Sequence, residues 1–546
     1  MRRRKIMDFP ILTDFGEKII VITIREWGRM ALTPKKNING GFVMSKLNIG
    51  WSEVSITPDK KISLAGQFAE RISEYVEKPL TATAMAVEAG GEQMVLVSTD
   101  LVAIGGNLMD SIREALAGNN VGLDPEKVII SAIHTHTGPV YPRQGYVGMN
   151  LKMAHSFRSL LESELPAGRK YVESAPVSNN PDIATPQETY DLLVERLTKV
   201  ALEAWNNRAP GSYVNAFGRA VVGMCRRAAY NDGSAQMWGD TNTAMFTELE
   251  GGNDSGIELL YVYGESGELT GIVANLACPA QCVQHRHFVS PDFWGEVKML
   301  LRQRFGENIF LLPQCSAAGD QCPVDLIRWV EPESDLDDPN CKRNNPPKRK
   351  ADPSMFDLAG MRKTGKRIAR EIIDLYEEGL DEAVSDVPFE HHVHMMQLPL
   401  RRVTMSEVAA ARKAIREYLN DHPGNVDFNV AAHLQVHLGI LRRAELQEVL
   451  DILPTEVHII RLGTIAFATS PFELFLDYGN QIKARSLAEQ TFLIQLCCGA
   501  EGYLPTEKAE KGGHYSAFVS SGHVGHIGGE QLVRETLQDI NNMFRK

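Results

Sequence analysis

The chain is poor in the features that mark secreted, membrane-spanning or nucleic-acid-binding proteins. Cysteine is sparse, eight in 546 residues, with no regular spacing. That excludes a disulfide framework and leaves free thiols or metal ligands in a reducing setting. Positive charge is in deficit, 57 Lys+Arg against 69 Asp+Glu, for a formal net charge of −12. Such a surface disfavours nucleic acid or anionic membrane as the main partner. No apolar run reaches the roughly 18 residues of a membrane span. No apolar core of a secretory signal follows the basic start Met1-Arg-Arg-Arg-Lys5. The expectation is a cytoplasmic protein with no stable membrane association. No Gly-x-Gly-x-x-Gly or Walker loop stands at a strand–helix junction, which argues against a nucleotide enzyme. Internal repeats and low-complexity tracts are also missing.

What is present is ample core material, 43% hydrophobic residues. A prior of about 150 residues per domain suggests several units, although single α/β enzymes often exceed it. Residues 1–46 read as an N-terminal extension with one apolar run, Ile19–Ile24, and the main domain spans 47–546. Within it, apolar runs alternate with amphipathic stretches. A Gly-Gly turn joins Ala84–Glu88 to Met94–Ser98, helix covers 105–118, and Lys127–Ile130 is a buried strand. A polar loop (139–185) and a long helix (188–206) follow. Gly256–Val262 and Leu269–Leu276 form a second hairpin, then come helix 293–305 and strand Ile309–Leu312. Residues 326–354 are rich in Pro, Asp, Asn and Lys and read as a surface insertion loop. Helix 357–378, strand Glu390–His394, helices 405–421 and 429–451, strands Leu462–Ala468 and Leu493–Leu496 and a C-terminal helix complete the pattern. The fold class is α/β, mixed β-sheets flanked by helices.

Chemistry gathers where strands end. Ser131-Ala-Ile-His134-Thr-His136-Thr-Gly138-Pro139 puts two histidines two apart past a strand, where they would project together. Asp100 ends another strand, either at the edge of a site or capping the next helix. Arg226-Arg227 is either solvated or an anion contact. Ala277-Cys278-Pro279-Ala-Gln-Cys282 precedes His285, His287 and Ser290-Pro-Asp292. Gly319-Asp320-Gln-Cys322-Pro323 and Thr469-Ser-Pro471-Phe-Glu473 are similar compact loops. The three histidines of Glu390–His394 read as a solvent-facing strand.

Five of these segments, in order, resemble the neutral (alkaline, non-lysosomal) ceramidase family over about residues 47–546. They are His134–Pro139, Ser290–Asp292, Gly319–Pro323, Pro471–Glu473 and Gly502-Tyr503-Leu-Pro-Thr506. The family cleaves an amide through water bound to zinc, held by two histidines, a glutamate and a tyrosine. The resemblance implies Zn²⁺ at His134, Glu473 and Tyr503, with His136, Tyr515 and Arg226 as catalytic neighbours. The family's second histidine ligand stands where this chain has Cys278. Cys278 itself, or His285 or His287, then completes the set, or no metal binds. Cys322 replaces a functionally important serine, so it is either a catalytic thiol or a buried loop cysteine. Asp100, Asp292 and Asp320 are expected to orient ligands.

Bound zinc lowers the pKa of water from 15.7 to about 7, giving a nucleophile for a carbonyl. His136, with an ordinary pKa of about 6.5, suits proton transfer to the leaving group. The secreted ceramidases add a signal and a C-terminal β-domain, whereas this sequence ends soon after Tyr515. The expected substrate is therefore a small polar amide or ester rather than ceramide, and a homo-oligomer is possible. A metal-dependent carbohydrate-processing enzyme and a non-catalytic binding protein are the alternatives.

Overall fold

Small and β-branched residues build an eight-stranded sheet. Its strands are β1 (Asn48–Ser55), β2 (Thr81–Ala89), β3 (Glu92–Thr99), β4 (Val128–Ala132), β5 (Ala209–Arg219), β6 (Gly256–Gly264), β7 (Leu269–Leu276) and β8 (Phe310–Cys315), in the order β8-β7-β6-β5-β1-β2-β3-β4. The computed structural model describes residues 44–545 apart from Phe68, 151–155, 173–179 and 328–355. The N-terminal extension up to residue 43 and nearly all of the 326–354 insertion lie outside the described residues. Strands β2 and β4 are buried on both faces, which is why they read as continuous apolar runs. Gly90 and Gly91 both adopt positive φ (60° and 85°). That is what a tight two-residue hairpin loop demands, and it pairs Ala89 with Glu92.

A second sheet runs β9 (Phe389–Pro399), β10 (Ile452–Leu462), β11 (Ile465–Thr469), β12 (Gln490–Ile494). The apolar strand expected over Leu462–Ala468 is really a hairpin, with Gly463 at φ 62° turning the chain. On β9, His392 is exposed as expected, but His391 is buried at 2% exposure. It points inward against His458 of β10.

The helices are α1 (Gly106–Ala117), α2 (Pro186–Asn206), α3 (Phe293–Phe305), α4 (Asp357–Glu378), α5 (Met405–Asp421), α6 (Phe428–His433), α7 (Gln435–Leu446), α8 (Leu476–Arg485) and α9 (His526–Arg545). The helix expected over 429–451 breaks at Leu434, which ends α6 and begins α7. The expected polar loop contains short helices at Tyr146–Asn150 and Phe157–Ser163. Thr185 and Glu188 form a capping box at α2, with Pro186 at its first turn. Its buried Leu193, Leu197, Ala201 and Ala204 recur at helical spacing and pack on β1 and β2. No described helix is long and apolar enough to cross a membrane.

Within these two sheets three strand pairs are parallel, β3–β4, β7–β8 and β11–β12. Each needs a crossover, and α1, α3 and α8 lie between the paired strands in sequence. The carboxyl ends of such strands are where open α/β sheets place their sites. Here those ends are laced together. Ile133 N–H donates to the Thr99 carbonyl, Ala280 to Ile133, Ser316 to Leu276, Gln495 to Cys315 and Ala132 to Leu496.

Candidate functional site

His134 and His136 do converge, but by a route other than strand alternation. Strand β4 ends at Ala132, and His134 sits in the left-handed region at φ 66°. That conformation is rare for a residue with a side chain and concentrates at functional sites. The Thr135 and Thr137 hydroxyls both donate to the Ser290 carbonyl, at 2.9 and 2.7 Å, and fix the turn. His134 Nδ1 lies 2.6 Å from the Val102 carbonyl. A carbonyl only accepts, so Nδ1 carries a proton and a neutral ring offers a lone pair at Nε2. Nε2 faces His136 Nε2 at 3.4 Å and Glu473 Oε2 at 3.4 Å. Gly66, at φ 89°, lies flat against the His136 ring, where an added Cβ would come within 2.3 Å.

Glu473 and Tyr503 face each other across a short parallel ladder, Glu473–Leu474 beside Tyr503–Leu504. Gln495 Oε1 anchors that ladder to the neighbouring loop by accepting from both Leu474 N–H and Ala318 N–H, at 3.1 and 3.0 Å. Burial pushes the Glu473 carboxyl up, but His134, Arg226 and the Tyr503 hydroxyl together hold it below the usual range. Its Oε2 is buried and receives no hydrogen bond. Burial and then Glu473 push the Tyr503 phenol well up, so it stays neutral. Tyr515 packs edge-on against Tyr503, ring centroids 5.5 Å apart, and burial raises its phenol as well.

Both adjacent arginines are buried, at 4% and 0% exposure, which corrects the solvated reading. Arg227 pairs with Glu250 and donates to the carbonyls of Gly513 and Tyr515. It thereby holds the loop carrying Tyr515. Arg226 donates to Gln281 Oε1 at 3.1 Å, the Gly319 carbonyl at 2.9 Å and the Tyr503 hydroxyl at 3.3 Å. That bond orients the Gln281 amide, so its NH₂ points at His136 Nε2, 3.0 Å away. Burial, then His134 and the cations Arg71, Arg226 and Arg143, push His136 well below 6.5. It is a neutral imidazole, not the acid its ordinary pKa suggests. Gln281 and Gln495 escaped the sequence reading. Gln281 stands inside a motif that was singled out, but an amide has no spacing signature of its own.

Several expected residues stand elsewhere. The Cys278 thiol donates to the carbonyls of Val222 and Pro279, and burial pushes it well above 9. Neither it nor His285 or His287 joins His134 and Glu473 as a compact ligand triad among the described residues. His285 stacks on Phe356 and faces Asp357. Cys322 lies buried with Val324 and Leu326. Its thiol donates to the Val324 carbonyl, and burial raises it to about 12, too high for a nucleophile at neutral pH. Asp100 accepts from Thr81 N–H and hydroxyl, while α1 starts at Gly105 with no side-chain cap. Asp292 accepts from Val283 and Phe293 N–H, and Asp320 from Leu476 N–H. These carboxylates brace the loops bearing Gln281 and Glu473 rather than a ligand side chain.

The remaining donor set suits a metal ion. A charge-assisted N–H···O⁻ bond runs about 2.7–2.9 Å, shorter than the 3.4 Å between His134 Nε2 and Glu473 Oε2. Zinc-type bonds of about 2.0–2.2 Å at a tetrahedral angle would separate the two ligand atoms by about 3.4 Å.

Comparison with solved structures gives the fold its place. The neutral ceramidase from Pseudomonas aeruginosa matches over 92% of this chain and 75% of its own, with a TM-score of 0.60 and 15% identity. A structure described as ceramidase complexed with C2 matches over the same shares, at a TM-score of 0.60 and 13% identity. The fold is ceramidase-like. No protein-family profile matches the chain, and no curated protein does. The resemblance read from the sequence motifs therefore stands at the level of the ceramidase-like fold.

Proposed function

We propose that this chain is a metal-dependent hydrolase of the ceramidase type. His134, Glu473 and Tyr503 would hold Zn²⁺, and the scissile bond would be an amide or ester of a small polar substrate. The observation that carries the reading is the pair of opposed acceptors, His134 Nε2 and the hydrogen-bond-free Glu473 Oε2, 3.4 Å apart. Three protein ligands and one open position is the usual arrangement of a catalytic zinc. When bound, such an ion polarises a carbonyl and makes hydroxide available near neutral pH. The protein's own groups complete the chemistry. Arg226 fixes Gln281, whose amide donates to His136 Nε2 and so favours the neutral ring. A neutral ring is the protonation state of a general base, and Nε2 would take a proton when the amide yields its bond. Tyr515, a neutral phenol beside Tyr503, suits donation to a developing oxyanion. Gln67 and Gln284, hydrogen-bonded to each other next to His136, give a polar approach and favour a polar substrate over a lipid.

The test is metal analysis of protein purified without chelator, followed by a panel of chromogenic acyl amides, acyl esters and glycosides. We expect about one zinc-type ion per chain, lost in Glu473→Ala and His134→Ala, and turnover of acyl substrates. Metal-free, inactive protein that does not respond to added zinc would overturn the reading. Turnover of glycosides alone would overturn the acyl assignment.

A further inference from the structure

A second cluster of ionisable groups, with no part in the mechanism above, lies where β10 meets the segment after β12. Its protons can be assigned from its hydrogen bonds together with the burial of His391. His391 Nδ1 is 2.8 Å from the Gln93 carbonyl and so carries a proton. Burial, and then neighbouring His458, keep His391 neutral, so its Nε2 accepts. The partner, His458 Nδ1 at 2.9 Å, must donate. His458 Nε2 donates in turn to Glu456 Oε1 at 2.9 Å. Both nitrogens of His458 are therefore donors, and the ring is an imidazolium. Glu456 is clamped by Arg113 at 2.8 and 2.6 Å.

Against this imidazolium lies Cys498. The ligand atoms of Glu456, His458 and Cys498 all fall within 4.8 Å of one another. Cys497 Sγ is 3.9 Å from Cys498 Sγ. The Cys497 thiol donating to it and the charge of His458 beside it, opposed by burial, hold Cys498 below the ordinary thiol range. Burial and the Cys498 charge push Cys497 well above it. The pair is one thiolate and one thiol. Leu496 and Cys498 both take positive φ, 52° and 55°, which bends the chain so that adjacent side chains meet. Cys498 is 8% exposed whereas every other described cysteine is at 0%, so it is the one nearest to solvent among them.

We infer that Cys498 is a hydroperoxide-reactive thiolate and that Cys497 resolves its oxidised form to a vicinal disulfide. In the first step the Cys498 sulfur attacks one peroxide oxygen and the O–O bond breaks. The departing oxygen takes a proton from His458 and leaves as water or alcohol, and Cys498 becomes a sulfenic acid. In the second step the Cys497 sulfur attacks that sulfur. The S–S bond forms, the S–O bond breaks, and hydroxide leaves as water with the Cys497 proton. Sulfur loses two electrons and the peroxide gains them. A divalent metal on the same three residues would need a lone pair on His458, and both of its nitrogens are already donors.

Trypsin releases both cysteines in one peptide, Ser486–Lys508. After one equivalent of hydrogen peroxide, that peptide in the full-length protein should lose two hydrogens, and dithiothreitol should restore them. Cys497→Ser should stop at a Cys498 sulfenic acid trapped by dimedone. A free thiol is only a few per cent thiolate at neutral pH. His458→Asn should therefore move the midpoint of the pH profile of oxidation up toward the ordinary thiol value of about 8.5. An unmodified peptide while other cysteines oxidise would overturn the proposal. So would one zinc or cadmium ion bound at Glu456 and Cys498 that blocks oxidation.

Discussion

Two histidine pairs sit at opposite extremes of proton supply. In the His391–His458 pair the ring nitrogens are 2.9 Å apart, and each donor in the chain finds an acceptor, ending at Glu456 and Arg113. The charges of Arg113 and His458 are matched by those of Glu456 and Cys498. In the His134–His136 pair the nitrogens face each other at 3.4 Å. Gln281 already supplies the hydrogen bond to His136, and Glu473 Oε2 receives no hydrogen bond and has only His134 Nε2 facing it at 3.4 Å. Buried polar groups are normally satisfied, and a buried charge survives only when it is paired. A closed set of protons is self-sufficient. An open set of acceptors calls for a cation from outside. One cluster should therefore be indifferent to metal, and the other should depend on it.

The largest test of that contrast is Glu473→Ala. Several kcal/mol of transition-state stabilisation leave with the ion, so hydrolysis should fall to the uncatalysed background and bound metal should vanish. Metal and turnover retained in this variant would break the contrast. Glu456→Gln should do the reverse. It strips the partner from Arg113 and His458 and should cost about 3–5 kcal/mol of stability, near the lower end because Glu126 also lies 3.9 Å from Arg113. Metal content and turnover of the surviving folded protein should hold. An unchanged urea midpoint would show that the cluster is not closed.

The sequence disclosed these two regions unequally. The strand–helix–strand order was legible from apolar periodicity. Six residues of the open site, His134, His136, Arg226, Glu473, Tyr503 and Tyr515, could be proposed because their motifs resemble those of the neutral ceramidases in order and spacing. The reason for their convergence was not legible. The histidines meet through a left-handed turn, not alternation, and the glutamines that orient them belong to a type found anywhere on a surface. Cys278 shows the converse failure. It occupies the motif position of a ligand, yet its thiol turns to backbone carbonyls. The closed cluster was missed because its members come from α1, β9, β10 and the segment after β12, and three histidines on one strand read as a polar face. Only the sheet order brings His391 against His458.

Gln281→Leu separates positioning from ligation in the open site. The side chain touches no proposed ligand atom, only Arg226 and His136. Losing such an orienting partner typically costs about 10–100-fold. The fall should appear in kcat with KM little changed and metal content intact. A loss of metal would mean that Gln281 is itself part of the ligand set, and an unchanged kcat would remove His136 from the proton path.

The smallest effect is a slope. The His458 pKa is raised to about 9, the negative charges of Cys498 and Glu456 beside it outweighing burial. A raised value contributes stability that is fully present below the unfolded value of about 6.5 and is lost as pH climbs through 9. Cys498 is lowered, so its contribution has the opposite sense. It is complete above the unfolded thiol value of about 8.5 and is lost as pH falls through the folded one. Between about pH 6.5 and 8.5 the folded pair carries one proton, on His458, and the unfolded chain carries one, on Cys498. The two slopes cancel, and this cluster adds no pH dependence to stability across that window. Cys498→Ser removes one half of the balance while Glu456 still holds His458 charged. Stability should then decline with rising pH by up to about 1.4 kcal/mol per unit relative to the parent. Parallel profiles for parent and variant would mean that the thiol and the imidazole are both neutral in the folded protein. The proton count that distinguishes this cluster from the open site would then fail at its first step.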